Sequence, residues 1–219
     1  MGSPVILSVL LVIFFLVFLS REYFTYKKNL AVKYFLTPLI TVTVCMVALT
    51  AVGEMGFSAY RALIIVSLIF ALAADTMLMV VEVDLLKYGL VYFLTGHIFY
   101  VGAFSVDYFF KPWNIALAAI IIAFLAAYFL RLRKNTGSLT VPVLIYLMIV
   151  SLMLFFAVSG LNYGVDRPKL FIAAGAFLFV LSDAVLAYNT FIKKIPDSTV
   201  ITWSMYAPAQ LLFALSCFD

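Results

Sequence analysis

Eight long apolar runs, joined by seven short polar connectors, divide this chain. The runs fall at about 4–20, 32–51, 60–81, 86–106, 113–130, 140–159, 170–188 and 199–217. A hydrocarbon core about 30 Å thick takes roughly 20 apolar residues per helix, so each run is long enough to cross one. Inside lipid every backbone N–H and C=O must find its partner within the protein, and for separate runs of this length that means helices. Composition points the same way. Of the 219 residues 67% are hydrophobic and 11% charged, and the mean hydropathy is +1.20; a soluble domain is about half apolar and about a quarter charged. The expected fold is therefore all-α: a polytopic membrane bundle of eight transmembrane helices. It forms a single domain over residues 1–219, with connectors too short to hold a soluble domain.

The first run has the length of a signal-peptide core. "MGSPV" holds no Lys or Arg, however, and "VFLSREY" offers no A-x-A-like cleavage site, so the run reads as a membrane helix. Ile6 breaks the N-myristoylation pattern. Cys45 and Cys217 both fall inside apolar runs, without CxxC or zinc spacing, and read as small packing residues. The net charge of +4 is not a nucleic-acid signal, because the cations flank helices. The first, third, fifth and seventh connectors hold Arg21, Lys27, Lys28, Lys33, Lys87, Arg131, Arg133, Lys134, Lys193 and Lys194, and the others hold Arg61, Lys111, Arg167 and Lys169. This excess puts the odd connectors in the cytoplasm and both termini on the opposite side. The host membrane would be a bacterial plasma (inner) membrane or a eukaryotic endoplasmic reticulum.

The two halves echo each other. A shift of 108 residues lays Asp75 on Asp183, Leu78 on Leu186 and the run at 32–51 on 140–159. The basic first connector falls on the basic fifth. This is the pattern of a parallel four-plus-four repeat, known in transporters.

Of the ten acidic residues, only Asp75 in "AADTMLMVV" and Asp183 in "FVLSDAVLAY" lie well inside apolar runs. A carboxylate near the middle of a membrane helix costs about 2.5–3.5 kcal/mol on insertion scales, so it turns inward and is a functional candidate. The plain reading, a protonated Asp bonded to a carbonyl or a Tyr, loses ground when two occur at matching depth. Helices three and seven run the same way, and at 1.5 Å per residue both carboxyls sit roughly 6–7 Å past the middle. Two carboxyls in one cavity divide into one protonated and one ionised group, the arrangement acid–base hydrolysis needs. His97, the only histidine, shares a helix face with Phe93, Tyr100 and Phe104. Such a His is most often a bonded core residue; two nearby carboxylates make it a candidate for the cavity wall. Tyr206 and Gln210 make an i, i+4 polar stripe in the last run and would bind substrate or glue helices. Asn189 is a further candidate wall residue, while Glu82, at a helix end, reads as an interfacial side chain.

At these motifs the chain resembles the lysoplasmalogenase (YhhN-like) membrane family. The resemblance is carried by "LAADTMLM", "LLKYGLVYFLTGHIFYVGAFS", "GAFLFVLSDAVLAYNTF" and "MYAPAQLLFALS", within about 67–105 and 175–216. Two departures are visible: Ala74 stands where Gly is usual, and Ala207 and Pro208 precede "AQ" where an aromatic and a larger apolar residue are common. The resemblance implies an eight-helix membrane hydrolase that opens the vinyl ether of a lysoplasmalogen, giving a fatty aldehyde and a glycerophospho-ethanolamine or -choline. Asp75 and Asp183 would be catalytic, with His97, Tyr100, Tyr206, Asn189 and Gln210 around the substrate. It implies no metal and no cofactor; the partners are a lysophospholipid and membrane lipids. From the residues alone, a proton-coupled transporter using the same Asp pair is the alternative. Pro38 and Pro142, which do not correspond under the 108 shift, speak mildly against it. An intramembrane aspartyl protease would carry YD and GxGD, where this chain has "AAD" and "LSD".

Overall fold

The computed structural model describes residues 3–80, 82–83 and 85–218; Met1 and Gly2 of "MGSPV" and Val81, the end of the third expected run, lie outside them. Among the described residues the long elements are eight α-helices: α1 Ser3–Tyr26, α2 Leu30–Met55, α3 Ala59–Met79, α4 Leu86–Ser105, α5 Trp113–Leu132, α6 Thr140–Ser159, α7 Arg167–Phe191 and α8 Ser198–Leu215. Local chemistry sets several boundaries. Asn29, Ser58 and Asp166 stand before α2, α3 and α7, and their side-chain oxygens accept from the amides of Val32, Arg61 and Lys169, satisfying donors that the first helical turn leaves orphaned. At the end of α2, Gly56 adopts φ +82°, a conformation that favours glycine.

Seven of the eight helices are long and apolar enough to cross a membrane; α4 is the exception. Lys87, three glycines and His97 lower its hydropathy. Gly89, Gly96 and His97 are buried against neighbouring helices, so part of the polarity that weakens α4 as a span faces protein, while Lys87 is exposed at the helix start. The expected eight spans thus appear as eight helices, of which seven qualify by composition. The protein is a multi-pass integral membrane protein, and its outer surface suits lipid: Leu16, Ile122 and Phe124 are all more than 60% exposed. The peripheral helix α5 buries little beyond Asn114 and Leu132, whereas α2 and α8 are the most buried.

The packing has a four-plus-four pattern. Successive helices pack together within each half, and across the halves α2 packs on α8 as α4 packs on α6. Exchanging each helix with the one four places on converts one of these interfaces into the other. Each half also has a close approach between its third and fourth helices. A Cβ on Gly96 of α4 would lie 3.2 Å from the Ser67 carbonyl oxygen of α3, and one on Gly175 of α7 would lie 3.1 Å from the Ala209 carbonyl oxygen of α8. Ser67 and Gly175 are themselves 108 residues apart. Small residues at these crossings let backbones meet, as membrane helices require when lipid supplies no hydrophobic drive between them.

An aromatic cluster fills the centre. The Phe179 ring meets those of His97, Tyr206, Phe93 and Phe213 at centroid distances of 4.6, 5.3, 6.4 and 6.3 Å. At the end of the bundle where α3 starts and α8 stops, Arg61 Nε donates to the Cys217 carbonyl at 2.7 Å and Tyr60 pairs with Ser216 at 2.5 Å. Cys217 is fully buried and Cys45 partly so, both as free thiols, which fits small packing residues.

Candidate active site

Toward the other end, α1, α2, α3, α4, α7 and α8 surround a cavity of about 170 Å³. A cavity of comparable size engineered into a soluble protein holds a benzene molecule. Asp75 comes from α3 and Asp183 from α7, and both line it. The carboxylates meet different surroundings. Asp75 is 4% exposed, and its Oδ2 accepts from Thr41 of α2 at 2.6 Å and from Tyr206 of α8 at 2.9 Å. Behind Tyr206, Gln210 Nε2 donates to the phenol oxygen at 3.1 Å, and Gln210 Oε1 accepts a short hydrogen bond from Tyr100. Tyr100, Gln210 and Tyr206 therefore form a chain in which every donor points toward Asp75. Asp183 accepts from Tyr146 of α6 at 2.7 Å. Beside it, the buried Ser182 hydroxyl lines the cavity and has no hydrogen-bond partner among the described residues.

Cations also border the cavity. Arg21 is fully buried near the end of α1, with its guanidinium 4.1 Å from the centre of the Trp203 ring and Nη1 2.5 Å from Glu22 Oε1. Its Nε has no partner among the described residues. Lys33 of α2, with Thr37, Ser198, Thr199 and Thr202, completes a polar rim. The basic first connector expected from the sequence thus begins inside a helix: α1 runs on to Tyr26, and Arg21 belongs to the cavity.

Four of the seven residues singled out from the sequence line this cavity: Asp75, Asp183, Asn189 and Tyr206. Asn189 also fixes the turn after α7, since its Oδ1 accepts from the Ile195 amide at 2.9 Å. His97, Tyr100 and Gln210 do not line it and stand behind the wall. His97 Nδ1 lies 2.6 Å from the Phe93 carbonyl, and its ring is enclosed by Phe179 and Tyr146 at 4.6 and 5.4 Å. The stripe on α4 reaches the cavity only through Phe93. Glu82 is exposed at the helix end and accepts from Tyr34 at 2.8 Å. Ser182 and Trp203 are cavity residues that the sequence reading did not single out, and Arg21 entered it only as one of the basic residues of the first connector, a group that could receive a lipid phosphate. An Arg directly after a membrane run was the available signal for it; a lone Ser or Trp in an apolar helix carries none.

The YhhN family model matches residues 29–217. The chain belongs to the YhhN family. Among curated proteins it is 30% identical over 160 residues to lysoplasmalogenase TMEM86A of Homo sapiens, an alignment that covers 71% of this chain and 65% of that protein. It is 35% identical over 129 residues to lysoplasmalogenase TMEM86B of Homo sapiens (58% and 52% covered) and 34% identical over 129 residues to lysoplasmalogenase TMEM86B of Mus musculus (59% and 52%). The matched region of this YhhN chain spans less than two thirds of the length of each of these relatives. No solved structure gives a significant match.

Proposed function

We propose that the protein is a lysoplasmalogenase-like hydrolase that cleaves the vinyl ether of a lysoplasmalogen with Asp75 and Asp183 as its acid–base pair. The observation that carries this reading is one cavity lined by the two carboxylates that correspond between the halves, in a chain whose curated relatives bear that activity in their names. A vinyl ether opens when a neutral carboxylic acid protonates the β-carbon, leaving an oxocarbenium ion at the carbon bonded to oxygen. Water adds to that carbon while the second carboxylate takes its proton, giving a hemiacetal. The hemiacetal hydroxyl then returns a proton to the first carboxylate, and the second gives its proton to the departing glycerol oxygen. The products are a fatty aldehyde and a glycerophospho-alcohol, and both carboxyls return to their starting state. Glycosidases divide the same work between two carboxyl groups.

The test is aldehyde release from lysoplasmalogen by purified protein in detergent. Asp75→Asn and Asp183→Asn keep the side-chain shape but can neither donate an acid proton nor accept one as a base. Each single variant is expected to lose about 10²–10⁴ of the rate, the usual worth of general acid–base catalysis. The double variant should be little slower than either, because groups that act as a unit are not additive. The parent pH–rate profile should be a bell, since activity needs one carboxyl protonated and one ionised. Glu82→Gln should keep most of the activity. A folded Asn variant working at the parent rate ends the two-carboxylate mechanism. The four-plus-four packing favours one second reading, a proton-coupled transporter of lipids or small molecules, in which case the lipid would be moved intact and no aldehyde would form.

A further inference from the structure

Asp183 stands on a boundary between polar and apolar space. On one side is the cavity with Arg21, Lys33 and Asp75. On the other is a narrower cavity of about 50 Å³ with an apolar lining that includes Leu78, Leu90, Phe93, Val143, Leu147 and Leu186. Leu78, Phe93, Asp183 and Leu186 line both, so the two spaces are divided by side chains alone. Leu90 and Tyr146 in turn border a third space, a groove of about 420 Å³ between α4 and α6. Its walls include Val91 and Ile145, which are 59% and 45% exposed on the outer surface of the bundle. The three spaces therefore lie in a row, polar at one end and mainly apolar at the other, from the carboxylate cavity past Asp183 to the lipid-facing surface, with shared side chains between them.

We propose that a single-chain amphiphile with an anionic polar end lies along this path: the polar end against Arg21 and Lys33, the head–tail junction at Asp183, and the tail passing between α4 and α6 into the bilayer. The assignment rests on reading the site as one for a lysophospholipid, and it fixes which way that lipid points. The reverse orientation would press hydrocarbon against the buried Arg21 and the two carboxylates and leave the anionic end in a mainly apolar groove whose one cation is the exposed Lys87, and burying charge or hydrocarbon in that way is unfavourable. Arg21 adds a specific demand, because a buried guanidinium with an unpartnered Nε calls for an acceptor. Glu22 occupies only Nη1, and phosphate oxygens suit the remaining donors. Orientation then divides the chemistry. Asp183, at the junction, is next to the alkenyl carbons and donates the proton; Asp75, which borders the polar cavity alone, takes the proton of the attacking water. Leu78 stands between the two inner cavities. A Cβ on Gly89 would lie 2.5 Å from Leu78 Cδ2, so Gly89→Ala forces that side chain to move and reshapes the wall the two cavities share.

The experiment uses a probe that cannot be cleaved, a saturated alkyl-ether lysophosphatidylcholine with a diazirine at the tail end, on the full-length protein in lipid nanodiscs. Photolysis should label α4 near Val91–Leu94 and α6 near Pro142–Ile145, and excess unlabelled lyso-ether lipid should suppress that label. Leu90→Trp and Gly89→Ala should each weaken competition by an octadecyl ether roughly tenfold relative to a dodecyl one, the effect of leaving about two methylenes unburied. Arg21→Lys should instead weaken competition equally for both tails. Suppressible label on α1, α2 or α8, or label on α4 and α6 that competitor does not suppress, overturns the orientation. Labelling needs no hydrolysis. A labelled path in a protein that releases no aldehyde supports the orientation while ending the hydrolase reading, and aldehyde release with label elsewhere does the reverse.

Discussion

At the scale of the residue, the same side chain is given two settings. Asp75 accepts two hydroxyl protons and has a string of donors behind it, whereas Asp183 accepts one and faces leucines on its far side. Tyr206 holds the first setting together, because it both donates to Asp75 and accepts from Gln210. Tyr206→Phe should therefore destabilise the fold by about 1–3 kcal/mol, the cost of stranding buried polar partners, and should slow hydrolysis as well. Gln210→Leu, remote from the cavity, should show the stability loss with a smaller loss of rate. Unfolding in detergent and aldehyde release, measured on the same preparations, separate the two effects. Ser182→Ala tests the unpartnered hydroxyl beside Asp183: if it holds the attacking water, the rate should fall about tenfold with stability unchanged, the worth of one hydrogen bond near 1.4 kcal/mol. What the sequence made legible follows from cost. Carboxylates in apolar runs stand out because lipid penalises them, so Asp75 and Asp183 could be singled out unaided. His97 was harder to place, since helical spacing groups it with Phe93 and Tyr100 but does not say which neighbours the stripe meets. Phe179 and Tyr146, which enclose it, arrive from α7 and α6.

At the scale of the element, the helices were legible from run length, and their ends less so. The first run extends through Arg21 and Glu22 to Tyr26 because the two charges pair with each other and the Arg21 guanidinium packs on Trp203; hydropathy ends the run where the charges begin. For α4 the failure is opposite. His97 and Tyr100 are buried against protein, and an average over the helix cannot tell a face turned to lipid from a face turned to α3. Glycines report the crossings more sharply. Gly175→Ala should cost about 1–3 kcal/mol, because its Cβ would fall 2.7 Å from the Phe213 ring and 3.1 Å from a backbone carbonyl, and neither neighbour has room to retreat. Gly53→Ala in α2 meets nothing within 4 Å and should be neutral or stabilising by about 0.5–1 kcal/mol. Denaturant or thermal unfolding of both variants in one detergent checks the contrast.

At the scale of the whole molecule, the charge bias predicts an orientation. With α4 crossing the bilayer like its neighbours, the connectors bearing Lys28, Lys134 and Lys194 share the cytoplasmic face with the mouth of the carboxylate cavity. Single cysteines at those three positions, in a chain with Cys45 and Cys217 replaced, should react with a membrane-impermeant maleimide from the cytoplasmic side only, and one at Arg167 from the other. Labelling of Lys28 and Arg167 from the same side would invert half of the bundle. The groove between α4 and α6 bears on how rate depends on concentration. On the proposed hydrolase reading, a lipid that reaches the carboxylates sideways never leaves the bilayer, so its molarity in water does not set the rate. The variable that saturates turnover is the mole fraction of substrate in the surface. Adding inert phospholipid or detergent at constant total substrate should then slow hydrolysis as a competitive inhibitor would, whereas doubling the volume of buffer should leave the rate per vesicle unchanged.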